Sequence, residues 1–361
     1  MLYLKIKSSF KWILFVLFIG NVQLVYSQIA EKYYNLGLKE IEKENYSEKA
    51  KEYFIRCLSE DTDDYSALYN VVYCFDFLDQ NNEAIIYLNS FIDKNPYSEV
   101  AWHQLGRQYY AVKNFEKAVW AFDFATLIDE TFLGAYLEKA KALEKLKKYE
   151  EAIACYSITM ELDDTTSFVL LRVGKCYEKL GNIELALQYF LKTVHEDPLL
   201  DKAWIAITDF YIRQKNFHKA LYYVNKAIGI DGDNNMYWKR FGAINQALNL
   251  HEEAELGYRK AFETGDINLD TFVLWSDTLQ YLGEYDAAIE ILLQSSELFP
   301  DNYEIEYRLA GLNYMTKQAK KGNFHLNNAL RLNAANQTFF KENFPNIWEK
   351  KSIQNIINKY N

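Results

Sequence analysis

The sequence predicts an all-α solenoid of about nine helical hairpins closed by a C-terminal capping helix. Three observations carry that expectation. Alanine returns every 34 residues at Ala50, Ala84, Ala118, Ala152, Ala186, Ala220, Ala254 and Ala288, and a fixed period of this length is the mark of a stacked repeat. The 361 residues hold only 14 Gly and 4 Pro, too few for the corners of an all-β sandwich or barrel. Finally, 29 Tyr, 23 Phe and 7 Trp supply a large core.

Taken in order, the chain opens on a segment that does not read as part of the repeat. Met1–Lys11 carries Lys5, Lys7 and Lys11 and no acid, Trp12–Gly20 is apolar, and Val25-Tyr26-Ser27 offers small residues at −3 and −1. A basic start, a short apolar middle and that ending describe an export signal cut after Ser27. The rival reading is an uncleaved membrane anchor, although nine apolar residues fall short of the roughly 20 that span a bilayer. A buried first helix is the third reading. The first cysteine is Cys57, too far from the cut for a lipid anchor there. Without residues 1–27 the formal charge moves from −10 to −13. That balance opposes binding to nucleic acid or to an anionic membrane.

The repeats follow. Sixteen residues before each anchor alanine stand Leu68, Trp102, Tyr136, Leu170, Trp204, Trp238 and Phe272. Twelve before stand the small residues Gly106, Ala140, Gly174, Thr208, Gly242 and Ser276, with Val72 the exception. Four after come Phe54, Leu88, Phe122, Tyr156, Phe190, Val224, Tyr258 and Leu292. Leu68, Val71 and Phe75 share one helix face; a polar break at 79–82 precedes a second helix whose Ala84, Leu88 and Phe91 point inward. The small residues stand where two helix backbones meet closely. Pro96, Pro198 and Pro300, or acidic groups, stop one hairpin and cap the next.

With this pattern the chain resembles the tetratricopeptide repeat family over residues 30–336, in units that begin near 30, 65, 99, 133, 167, 201, 235, 269 and 303. The first unit holds one extra residue, since Gly37 lies thirteen before Ala50, and the ninth has Gly322 in the alanine slot. The resemblance implies a right-handed superhelix whose first helices line a concave groove that binds a protein or peptide segment. A known member's Lys/Asn clamp for a chaperone C-terminus is not matched, because Asn70 alone occupies a comparable slot. Residues 337–361 carry no repeat. Phe339, Phe340 and Phe344 precede Pro345, and Ile347, Trp348, Ile353, Ile356, Ile357 and Tyr360 suggest an amphipathic helix that caps the last hairpin. A free helix that docks a partner is the alternative.

No catalytic constellation stands out, and the expectation is a protein that is not an enzyme and needs no cofactor or metal. The five histidines, His103, His195, His218, His251 and His325, include no i, i+4 pair. There is no Gly-rich phosphate loop and no G-x-S-x-G. Cys57, Cys74, Cys155 and Cys176 lie in apolar stretches and read as buried thiols, with Cys57/Cys74 and Cys155/Cys176 disulfides as the alternative.

The face left over by packing runs through residues 18, 15, 11 and 8 before each anchor. Toward the N-terminus it is aromatic, with Tyr34, Tyr69, Tyr73 and Tyr110 beside His103; then Arg107, Lys141 and Lys175 form a cationic ladder, and Asp209 and Asp277 follow in the same slot. Tyr69, Tyr73, His103, Arg107, Tyr110, Lys141 and Lys175 are therefore the candidate partner-binding residues. Cations would meet a carboxylate or phosphate, and tyrosines supply contact area. The competing readings are a solvated ladder neutralised by Glu138, Glu144 and Glu178, and tyrosines packed on neighbouring helices. The expected function is a non-catalytic scaffold in an envelope assembly. A periplasmic holdase and a glycan-linked accessory are the other classes.

Overall fold

A computed structural model describes residues 27–43, 45–162 and 167–360. The export segment expected over 1–27 lies, apart from residue 27, outside the described residues. Everything described is helix or short connection, without a strand. Two compact units divide the chain after Asn182. In the first, α1 (27–43), α2 (Glu48–Glu60), α3 (Tyr65–Phe77), α4 (Asn81–Lys94), α5 (Glu99–Ala111), α6 (Phe115–Ile128), α7 (Leu133–Lys145), α8 (Tyr149–Leu162) and α9 (Ser167–Lys179) follow one another. The second holds α10 (Ile183–Glu196), α11 (Asp201–Arg213), α12 (Phe217–Ile230), α13 (Asn235–Ala247), α14 (His251–Glu263), α15 (Leu269–Leu282), α16 (Tyr285–Leu298), α17 (Tyr303–Met315) and α18 (Ala319–Asn333). Within each unit successive helices pack as a solenoid of hairpins.

The periodic residues build the core. All eight anchor alanines and all eight residues four beyond them are at most 1 % exposed. The small residue twelve before the anchor lies against that second side chain: a Cβ on Gly106 would come within 2.5 Å of the Phe122 ring, and one on Gly242 within 2.9 Å of Tyr258. Gly37 meets Phe54 in the same way, at 2.6 Å, so the extra residue of the first hairpin leaves this contact intact.

Every hairpin turns by one device. Five residues before the anchor slot stand Asn45, Asp79, Lys113, Lys147, Gly181, Lys215, Asn249, Gly283 and Lys317, all with φ between 54 and 80°. This left-handed residue ends the first helix. In every turn from Gln80 onward the next N–H then reaches back to a carbonyl five residues earlier at 2.7 to 2.9 Å, as in Asn114 N to Tyr109 O and Gln318 N to Asn313 O. Between hairpins, tryptophans sixteen before the anchor hold the connection: Trp102 Nε1 donates to Pro96 O at 2.9 Å, Trp204 to Pro198 O at 2.8 Å and Trp238 to Gly232 O at 2.7 Å. Ser98 and Asp64 cap α5 and α3.

The tail departs from the single helix expected there. A 3-10 turn (Ala334–Asn336) leads into α19 (Gln337–Asn343), α20 (Pro345–Trp348) and α21 (Lys351–Ile357). Pro345 has no N–H to continue α19, and the backbone is extended again at Lys350. Phe340, Phe344, Ile347, Ile353 and Ile357 are nevertheless buried in the same core as Ile305 and Tyr307 of α17. Phe344 rests on Gly311, where a Cβ would lie 2.3 Å from its ring.

Candidate binding face

The first helices α3, α5, α7 and α9 of the first unit carry the residues singled out from sequence. At the N-terminal end the rings form a cluster. Tyr69 and Tyr73 lie nearly parallel at 6.5 Å, and Tyr46, from the α1–α2 turn, stands 5.9 Å from Tyr73 and 6.3 Å from Phe77. Tyr69 is half-buried against the core, whereas Tyr73 and Phe77 are 41 % and 58 % exposed. Tyr34 packs edge-on against Phe54 and takes a long hydrogen bond from Asn70. Tyr110 is half-buried, edge-on to Phe115 at 5.2 Å, and burial raises its hydroxyl pKa.

His103 does not belong to this face. It is 7 % exposed, wedged between Phe132 at 4.9 Å and Phe122 at 5.7 Å, and its Nε2 has no hydrogen-bond partner. Gly134, on the next hairpin, lies beside the ring, where a Cβ would stand 3.6 Å from Nε2. Burial, followed by the Arg107 charge, pushes its pKa down to about 4, so it stands neutral at pH 7.

Two rungs of the cationic ladder, Arg107 and Lys141, are paired within the protein. Arg107 donates to Gln104 at 2.9 Å, lies 3.7 Å from Asp76 and sits 5.9 Å over Tyr73. Lys141 bonds Glu138 at 2.8 Å and lies 5.8 Å over Phe168. Lys175 is half-buried and also engaged. In the second unit the same slot is occupied from the neighbouring hairpin: Arg240 grips Asp209, and Arg308 grips Asp277. Burial outweighs Arg308 and raises the Asp277 pKa.

Sequence reasoning missed Arg172 and Phe168. Arg172 donates to both oxygens of Glu144 at 2.8 and 2.9 Å, and Tyr156 gives its hydroxyl proton to the same carboxylate at 2.5 Å. Phe168, 47 % exposed, lies within 6 Å of both Lys141 and Arg172. A signal was present: Arg172, Arg240 and Arg308 all stand fourteen before an anchor slot. What the face offers is exposed aromatic area edged by cations, of which Arg107 and Lys141 already face carboxylates. It suits packing and hydrogen bonding against another chain better than capture of a bare anion.

Two family models bear on these hairpins, each described as tetratricopeptide repeat; one matches residues 133–157 and the other residues 168–199. This chain is a tetratricopeptide-repeat protein. No curated protein matches its sequence. Among solved structures it is similar to a tetratricopeptide-repeat (TPR) protein from Parabacteroides merdae, at 16 % identity over 70 % of this chain and 99 % of that one, with a TM-score of 0.49. Pseudomonas aeruginosa pilF is similar at 20 % identity over 62 % and 97 % of the two chains, with a TM-score of 0.47. YrrB, described as a TPR protein with an unusual peptide-binding site, gives 17 %, 49 %, 92 % and 0.41 in the same order. TPR folds bind proteins or peptides and generally act as scaffolds without catalysis.

Proposed function

We propose that this TPR protein is a non-catalytic scaffold in an envelope assembly, exported by its N-terminal segment, and that its first-helix face takes a segment of a partner protein. The exposed rings of Tyr73 and Phe77, with the half-buried Tyr46 against them and Arg107 beside Tyr73, are the observation that supports this reading. Tyr69, Tyr110, Lys141 and Lys175 extend the contact along α3, α5, α7 and α9, with Phe168 added and His103 removed. Exposed aromatic rings beside arginine are the composition of interface hot spots.

Capture with a tagged full-length chain from envelope and cytosolic fractions tests it, with the intact mass of the recovered bait reporting cleavage. A bait beginning at Gln28 with one stoichiometric envelope partner is expected. The same partner should be lost from a Tyr73→Ala/Phe77→Ala variant and weakened by Lys141→Glu/Lys175→Glu, with helicity unchanged in both. Retention of the partner by the aromatic variant would overturn the site, and an uncut bait in the cytosol would overturn the location.

A further inference from the structure

A second surface lies on the second helices of the second unit. α10, α12, α14 and α16 belong to successive hairpins, so equal distances from the anchor alanine mark equal levels along them. Two of those levels are apolar. Five residues after the anchor, Leu191 on α10 and Leu293 on α16 are 39 % and 43 % exposed. Two residues after it, Tyr222 on α12 is 57 % exposed and Leu256 on α14 is half-buried.

Charge divides the same surface along a line between α12 and α14. On one side, α12 has no acid, and α10 has acids only near its ends, at Glu184 and Glu196. Lys192, Lys219 and Lys226 lie over the rings of Tyr189, Tyr211 and Tyr222 at 5.0 to 5.3 Å, with no carboxylate partner among the described residues. On the other side, α16 has no Lys or Arg, and α14 sets four glutamates against Arg259 and Lys260, which are already engaged with Glu255 and Glu263. Glu253, Glu290 and Glu297 are exposed and have no cation partner among the described residues.

A surface that is cationic on one side of a line and acidic on the other is its own complement. We propose that the second unit binds a second copy of this chain through this surface, as a closed dimer whose two-fold axis runs along the line between α12 and α14. The rotation sets α10 against the copy's α16 and α12 against its α14, level with level, because the axis follows the helices. Leu191 then meets Leu293, and Tyr222 meets Leu256. Lys219 meets Glu253, and Lys192 falls between Glu290 and Glu297, about one turn from each. Two levels oppose like charges: Glu184 with Asp286, and Lys226 with Lys260, which Glu263 already neutralises. This contact is separate from the first-helix face and stands or falls independently of it.

Sedimentation equilibrium on the full chain tests the proposal. A dimer with no larger species is expected, weakened about tenfold or more between low salt and about 0.5 M salt. Lys192→Glu/Lys219→Glu and Glu253→Lys/Glu290→Lys should each be monomeric where the wild type dimerises, with helicity unchanged. Mixed in equal amounts, the two variants should dimerise again, since every reversed charge then meets its opposite. A wild type that stays monomeric to about 100 μM, a dimer that survives both reversals, or a mixture that stays monomeric overturns the proposal. Growth into larger oligomers would replace the two-fold with a head-to-tail contact, and would overturn it too.

Discussion

Arg240 holds Asp209 by two points: Nε donates to Oδ1 at 2.8 Å and Nη2 to Oδ2 at 3.1 Å, across 31 residues of sequence. Arg308 reaches Asp277 over the same separation through Nη1, while its Nε and Nη2 hold Glu304 on its own helix. Each pair joins the first helices of adjacent hairpins, and the two-point contact of Arg240 fixes angle as well as distance. Removing Arg240 by Arg240→Ala should lower stability by about 1 to 2 kcal/mol. A double-mutant cycle with Asp209→Ala should return most of that loss as coupling; zero coupling in urea unfolding would show that the pair merely decorates the surface.

Gly106 faces the Phe122 ring so closely that a Cβ would sit 2.5 Å away. Gly106→Ala should therefore destabilise by about 1 to 3 kcal/mol through overpacking. Adding Phe122→Leu should recover part of it. A Tm unchanged by Gly106→Ala would mean that the two helices separate without cost.

Lysine stands in the left-handed position of four turns, at Lys113, Lys147, Lys215 and Lys317. A Cβ makes that conformation costly, and glycine relieves it. Replacing each by glycine should raise stability by about 0.5 to 1 kcal/mol, cumulatively in the quadruple variant. Thermal unfolding reads this directly, and a fall in Tm would contradict the turn geometry.

His103 makes stability depend on pH. Its folded pKa of about 4 lies below the ordinary 6.5, so between those values the unfolded chain binds the extra proton. Stability from this group is full above pH 6.5 and drains away as pH falls toward 4, by up to about 3 kcal/mol. His103→Phe, among Phe122 and Phe132, should flatten that part of the profile. Parallel urea midpoints for variant and wild type from pH 7 to 4.5 would show instead that His103 titrates in water.

Burial pushes the thiols of Cys57, Cys74 and Cys176 up to about 12 and raises that of Cys155. None of the four is joined in a disulfide. Iodoacetamide at pH 8 should leave the native protein unlabelled and modify all four after unfolding in guanidinium. Fewer than four in the denatured protein would reveal a disulfide.

The repeat was legible because its slots are filled by the same packing in every hairpin: Ala118 and Phe122 are buried for the reason that Ala254 and Tyr258 are. The binding face was harder to read. His103 occupies a slot that is half-buried at Tyr69 and Leu137 and fully buried at Leu171 and Tyr307, and its own burial comes from Phe122 and from Phe132 of another hairpin. Glu138, three residues before Lys141 on the same helix, could be read as its partner, whereas the partner of Arg107 is Asp76, on the preceding hairpin and outside the slot. In the tail the apolar residues were evident, but their one-helix spacing was misleading: Pro345 and the extended Lys350 break the chain into short segments that follow α17. Local helix periodicity is written in consecutive residues, whereas pairs such as Arg107–Asp76 and Arg240–Asp209 are settled between repeats.

The nine left-handed turns fall in register, 34 residues apart, and each is closed by bonds that span no more than five residues. A whole period cut out between two such turns, for example between Lys113 and Lys147, would rejoin one hairpin's closing geometry to an identical one. Cutting out any other length would set anchor alanines against bulky neighbours. The chain is thus modular in units of one period, so whole hairpins can be lost or duplicated with the turns kept in register, while the surfaces they display, such as the rings of Tyr73 and Phe77, change from copy to copy.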